Sequence, residues 1–123
     1  MSGADTRTRG QRMAGVALAR VEAVAGNTGL RKEYKTRALG FPALVMQSGL
    51  AQAVGFLRAK GNNGYLDDLA AVMTKKDAAG LHATIIHAPM LDYRFLTREA
   101  LDAAGWIKRF SQTLLHDDKE DEA

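Results

Sequence analysis

Six apolar residues near the end of the chain, Leu96, Ala100, Ala103, Ile107, Phe110 and Leu114, recur at steps of four, three, four, three and four. That rhythm is one face of a helix, and at 1.5 Å per residue a helix from about Leu91 to Leu115 is on the order of 37 Å long. A rod of that length with one apolar side needs partners along its whole run, so it can serve as the spine of a bundle. The rest of the chain supplies helices and no strands. There are only two prolines and no alternating run of β-branched and aromatic residues. The expected fold is all-α, a single compact bundle of about six helices.

The other helices follow from stripes and stop signals. The first is expected over about Thr8 to Ala25, with Met13, Ala17, Val21 and Val24 turned inward and Arg9, Arg12 and Arg20 off that stripe. Gly26-Asn27 is a stop. Thr28 is placed to cap a second, short helix in which Leu30, Tyr34 and Ala38 share a face while Arg31, Lys32, Lys35 and Arg37 cover the others, with Gly40 as its break. A third helix then runs from 41 to about Lys60, with Pro42 in the first turn, where its missing N–H costs no hydrogen bond. Asn63 is placed to cap a helix through about Met73, with Leu66, Leu69, Ala70 and Met73 inward. Asp77 is placed to cap another through about Ala88, closed by Pro89.

The segment 41–61, FPALVMQSGLAQAVGFLRAKG, is apolar nearly all the way round yet contains Gln47, Ser48 and Gln52. Met46, Leu50, Ala53 and Leu57 form one apolar stripe. Ser48, Ala51 and Gly55 form a second of small residues, which lets a neighbouring helix approach closely. Gln47 and Gln52 are then either hydrogen-bonded within the bundle or available at an interface with a neighbouring subunit.

A chain of 123 residues is the size of one domain. The expected division is a helical domain over 1–116 and an acidic, disordered tail over 117–123. That tail, DDKEDEA, carries five acids and one lysine, so the formal charge of +3 hides a body of +7 over residues 1–116. A basic body can draw in phosphate-rich partners, but charge alone names no ligand. No apolar run reaches the roughly 20 residues that span a bilayer, and MSGADTRTRGQRM has arginines without a following hydrophobic block, so neither a membrane span nor a secretory leader is expected. The absence of cysteine fits a cytoplasmic location and excludes disulfides, thiolate metal sites and a cysteine nucleophile.

Catalytic signatures are missing. The chain has no GxxxxGK[ST], no GxGxxG after a strand and no HExxH. His82 and His87, five apart, turn away from one another on a helix, with no acid at a ligand position between them, so no metal is expected. Asp67 and Asp68 are adjacent and diverge, which suits helix N-terminal charges better than an acid and base pair. Ser48 and Ser111 have no histidine nearby in sequence. Trp106 and Phe110, four apart, are read as a packed core contact, and the five methionines as gap fillers. No catalytic residue and no cofactor is expected. A helical DNA-binding regulator is disfavoured, because a recognition helix presents polar side chains to the groove and the segment 41–61 is apolar.

Two stretches carry a resemblance. In 41–61, Pro42, Ala43, Leu44, Gln47, Ser48, Gly49, Leu50, Ala51, Gln52 and Phe56 stand in order, and in 92–115 so do Tyr93, Arg94, Thr97, Glu99, Ala100, Leu101, Trp106, Lys108, Arg109 and Phe110. These motifs resemble the small all-helical subunit of the type III-B CRISPR effector, the fifth protein of the Cmr complex or RAMP module; position 48 carries serine where many members have asparagine. The resemblance implies a non-catalytic subunit of an antiviral, crRNA-guided complex. In that family, copies stack into an inner filament beside the backbone subunits and help line the channel for guide and target RNA. The implied partners are the other Cmr subunits, with crRNA and target RNA contacted mainly through charge. Such contacts need Lys and Arg but no base-reading groups, because base pairing reads the sequence. Lys35, Arg37, Arg58, Lys60, Lys108 and Arg109 are the RNA-contact candidates, and Gln47 and Gln52 the candidates for a subunit interface. The alternative is a pure scaffold whose cations meet acidic protein surfaces.

Overall fold

The long C-terminal helix is the element around which the others are arranged. The computed structural model describes residues 7–61 and 63–116, which form six α-helices and no strand: α1 (Arg9–Ala25), α2 (Thr28–Ser48), α3 (Leu50–Lys60), α4 (Gly64–Val72), α5 (Ala78–His87) and α6 (Met90–Leu114). The tail expected at 117–123 lies outside the described residues. No described helix is long and apolar enough to cross a membrane. Leu96, Ala100, Ala103 and Ile107 are buried, as expected, and Ala104 joins them. Phe110 and Leu114 sit half-buried at the core's edge.

α1 and α2 pack most extensively on α6. All three carry alanines at the seam: Ala17, Ala38, Ala100, Ala103 and Ala104 have no solvent exposure. A methyl side chain is what allows helix axes to draw together where two helices share a third. α2 runs antiparallel to α6. Tyr93, in the first turn of α6, meets Ala51 just beyond the end of α2, while Leu115 closes α6 beside Arg31, Lys32 and Lys35 near the start of α2.

Helix ends follow local chemistry. At α1, Thr8 Oγ1 accepts from Gln11 N at 3.1 Å while Gln11 Oε1 accepts from Thr8 N at 2.8 Å, a reciprocal capping box. Asn27, not Thr28, caps α2 by accepting from Gly29 N. Asp77 caps α5 as expected, taking Gly80 N at 2.8 Å. Asn63 occupies the N-cap position of α4, but its side chain makes no capping bond and, among the described residues, its buried Oδ1 has no partner.

The division between the second and third helices differs from the expectation. Gly40 does not break α2, and Pro42 lies inside it. The reason is one continuous stripe: Tyr34, Ala38, Phe41 and Val45, at steps of four, three and four, are all buried. Core burial along two further turns outweighs the bond Pro42 cannot donate and the entropy of Gly40. Leu30, assigned to that face from sequence, stands exposed. The break comes at Gly49, whose φ of +85° is open to glycine and strained for other residues. Consequently the stripe read across 41–61 is split. Leu50, Ala53 and Leu57 are buried on α3, but Met46 belongs to α2 and is 74% exposed.

Candidate functional site

The six candidate cations lie two each on α2, α3 and α6. Lys35 and Arg37 lie two residues apart, about 200° around α2, and open onto different grooves. Lys35 shares one with Arg31, Lys32 and His116. Arg37 faces another with Arg20, Tyr34 and Asp68, and pairs with Glu33 at 2.8 Å. Arg58 and Lys60 form the last turn of α3, where cations suit the negative end of the helix. There Lys60 Nζ stands 4.7 Å above the Phe56 ring, and Arg58 bonds to His82 Nδ1 at 3.0 Å. On α6, the Arg109 guanidinium lies 5.2 Å from the Trp106 ring centre, and Trp106 stacks on Phe110 at 5.9 Å. Both rings are half-buried against the core, so the packed contact expected for them carries a cation on its outer side.

Sequence reasoning missed a further basic groove. Arg7, Arg9, Arg12 and Arg20 line a depression beside Val72, Met73 and Glu99. Within it Arg9 pairs with Asp102 of α6, and Arg12 donates to the Arg7 carbonyl at 2.8 Å. The available signal is the spacing of Arg9, Arg12 and Arg20 off the apolar stripe. The groove exists only because α4 and α6 wall it, and spacing within α1 does not show that.

Asp67 and Asp68 do more than furnish charge at a helix start. Asp67 Oδ1 accepts from Ala78 N at 2.8 Å, tying α4 to the first turn of α5. Asp68 is buried. It accepts from Tyr34 Oη at 2.7 Å and from Arg20 at 3.2 Å, joining α1, α2 and α4 through one carboxylate. Burial pushes the Asp68 carboxyl up, and its bonds from Tyr34 and Arg20 only partly hold it down. Burial, with the negative Asp68 nearby, also drives the Tyr34 and Tyr65 phenols far above their ordinary range. These two rings meet edge to face at 5.6 Å, and Tyr65 packs on Phe41 at 5.5 Å. Among the described residues, Tyr65 Oη is buried without a partner. A cleft of roughly 310 Å³ between α1, α2 and α4 opens beside this cluster.

Gln47 and Gln52 are both exposed. The inward amide network is therefore corrected: with the helix broken at Gly49, neither glutamine faces the core. The small-residue stripe is partly present. Ser48 is exposed at the end of α2, whereas Gly55 lies close under α5, where a Cβ would stand 3.8 Å from His82 Nε2. Ala51 N donates to Tyr93 Oη at 3.0 Å. The N-cap Gly49 has no side chain to satisfy the first amides of α3, so a phenol from α6 does it instead. Tyr93 and Gly49, one from each of the two sequence motifs, meet at this point.

Comparison with known proteins is consistent over nearly the whole helical body. The family model described as CRISPR-associated protein (Cas_Cmr5) matches residues 9–114. A protein of Thermus thermophilus named CRISPR system Cmr subunit Cmr5 is 40% identical over 114 residues, covering 90% of this chain and 99% of the relative. A Thermotoga maritima protein of the same name is 30% identical over 91 residues, 69% of each chain. The crystal structure of a Cmr5 family protein from Thermus thermophilus superposes with a TM-score of 0.86 at 41% identity, covering 89% of this chain and all of the other.

Proposed function

The chain belongs to the CRISPR-associated Cas_Cmr5 family, and from that premise we propose that it is the small, non-catalytic subunit of a cytoplasmic, crRNA-guided type III-B Cmr complex. Copies of it stack beside the backbone subunits and present cations to guide and target RNA. The observation that carries this reading is the match across residues 9–114, which takes in all six helices. The charge distribution supports it. Among the described residues sixteen Lys and Arg stand against eight Asp and Glu, and the cations border the grooves at α1 and at the start of α2. A surface of this kind holds a phosphate backbone without reading bases.

The test is target-RNA retention by the reconstituted complex across a salt series. Charge reversal at Arg58 and Lys60, at Lys32 and Lys35, or at Lys108 and Arg109 should weaken retention. Each lost phosphate contact should flatten the log–log salt slope by roughly 0.7–0.9. Unchanged retention in all three variants rules out the channel role. A scaffold reading has one observation in its favour: Arg37 is paired with Glu33 and Arg109 lies over Trp106. Arg58, bonded to His82, and Lys60, over Phe56, likewise have partners within the chain. Variants that lose assembly while keeping RNA affinity would favour that second reading, with Gln47 and Gln52 at the interface.

A further inference from the structure

α6 carries a second stripe that neither the core nor the basic grooves use. Leu91, Arg94, Phe95 and Arg98 recur at i, i+3, i+4 and i+7, on the side of the helix opposite the buried Ala100. They line one shallow groove. Leu91 is 67% and Phe95 65% exposed; Met90 at the head of the helix is 73% exposed, and Ile86, one turn before the elbow at Pro89, is 57% exposed. Pro89 has an extended backbone (φ −61°, ψ 161°) and fixes the turn from α5 into α6. This is the densest group of exposed large apolar side chains in the described chain. Four such residues fall within one decapeptide, clustered in sequence where exposed apolar residues elsewhere are more scattered, and exposed apolar surface that is contiguous marks interaction sites.

We propose that this elbow is a docking face for another protein, one that presents an apolar ridge flanked by Asp or Glu. The proposal rests on the reading of the chain as a complex subunit and names a surface and a partner chemistry for it. Charge decides among the occupants. The elbow's groove is rimmed by Arg94 and Arg98, the grooves at α1 and at the start of α2 are basic too, and in the cleft beside Tyr34 the acids Glu33, Asp67 and Asp68 are already engaged by Arg37, Ala78 N, Tyr34 and Arg20, so the grooves of a second copy offer the arginines no open acidic ridge. The chain's own residues 117–123 could neutralise the arginines but contain no apolar side chain larger than alanine. RNA would satisfy the arginines and could stack a base on Phe95, yet would leave Ile86, Met90 and Leu91 in water. Phe, Met and Arg together are the composition of a protein interface centre.

The experiment reconstitutes the Cmr complex from its purified subunits and guide RNA with the full chain, either wild type or L91S/F95S, and reads incorporation by native mass spectrometry. Both substituted positions are exposed, and an unchanged melting temperature confirms the fold. L91S/F95S should lower the affinity of incorporation by at least about tenfold. R94E/R98E should also lower it, while R94K/R98K should retain most of it. Equal incorporation of wild type and L91S/F95S overturns the docking face and leaves the subunit reading intact. Loss of target-RNA retention with unchanged incorporation overturns it in favour of RNA. A wild-type dimer in sedimentation that L91S/F95S converts to monomer overturns it in favour of a second copy. Failure of the wild-type chain to incorporate overturns the subunit reading and the docking face together.

Discussion

Asp68 is one carboxylate shared by three helices, and its chemistry gives the sharpest expectations at the residue scale. Asp68→Ala leaves the buried Tyr34 hydroxyl without its acceptor and should cost about 1–3 kcal/mol in urea unfolding. Asp68→Asn keeps an acceptor oxygen and removes the cost of burying a charge, so it should lose less. The gap between the two variants measures the orphaned phenol. The Asp68 carboxyl is held above its ordinary value by burial. The stability it contributes is therefore present in acid, below the unfolded carboxylate range, and lost as pH rises through the folded value. Wild type should accordingly gain on Asp68→Asn as pH falls. Tyr34 and Tyr65 act at the other end of the scale. Burial raises both phenols, so their contribution is complete below about pH 10 and falls away above it. Each phenol should remove about 1.4 kcal/mol per pH unit there. Tyr65→Phe should flatten that alkaline limb, and at pH 7 it should match or exceed wild-type stability, because Tyr65 Oη has no partner to lose.

At the scale of elements, the break at Gly49 and the phenol that caps it hold α3 in place. Gly49→Ala places a side chain at φ +85° and a Cβ 3.5 Å from Tyr93 Oη, and should cost on the order of 1–2 kcal/mol. Tyr93→Phe removes the acceptor for Ala51 N and should cost about 1 kcal/mol. The double variant should cost less than the sum, since both act on one helix end. Pro42→Ala, inside α2, restores a donor and should raise the melting temperature. The stripes on α1, α4 and α6 are legible in the sequence because each falls within a single uninterrupted period. The join of α2 and α3 is not. Glycine and proline read as punctuation, whereas the stripe Tyr34, Ala38, Phe41 and Val45 crosses both Gly40 and Pro42 and is buried throughout. The surface is less legible still. Periodicity places Lys35 and Arg37 on one helix but cannot show that they open onto different grooves, because the walls of those grooves come from α4 and from the end of α6. Leu91 and Phe95 escape a reading by period for a similar reason: they lie off the stripe that defines the helix.

For the molecule as a whole, the quantity that matters is the separation of charge between interior and surface. Residues 117–123 carry a local charge of −4 against +7 for the remainder. A chain lacking them should bind non-specific RNA more tightly and leave heparin at higher salt; identical elution would show that the two regions do not offset one another. The described body has its own asymmetry. Of its eight carboxylates, Asp67 and Asp77 take backbone amides, Asp68 takes a phenol and a guanidinium, and Glu33 and Asp102 sit in ion pairs. Unfolded, the same residues are a polyampholyte with acids and bases interspersed along the chain. Folding sorts them, turning two anions onto peptide amides and one onto a phenol and a guanidinium, while most of the cations keep exposed positions. On a cation-exchange column the native chain should therefore be retained more strongly than the urea-unfolded one at the same pH and ionic strength, although not one ionisable group has been added or removed.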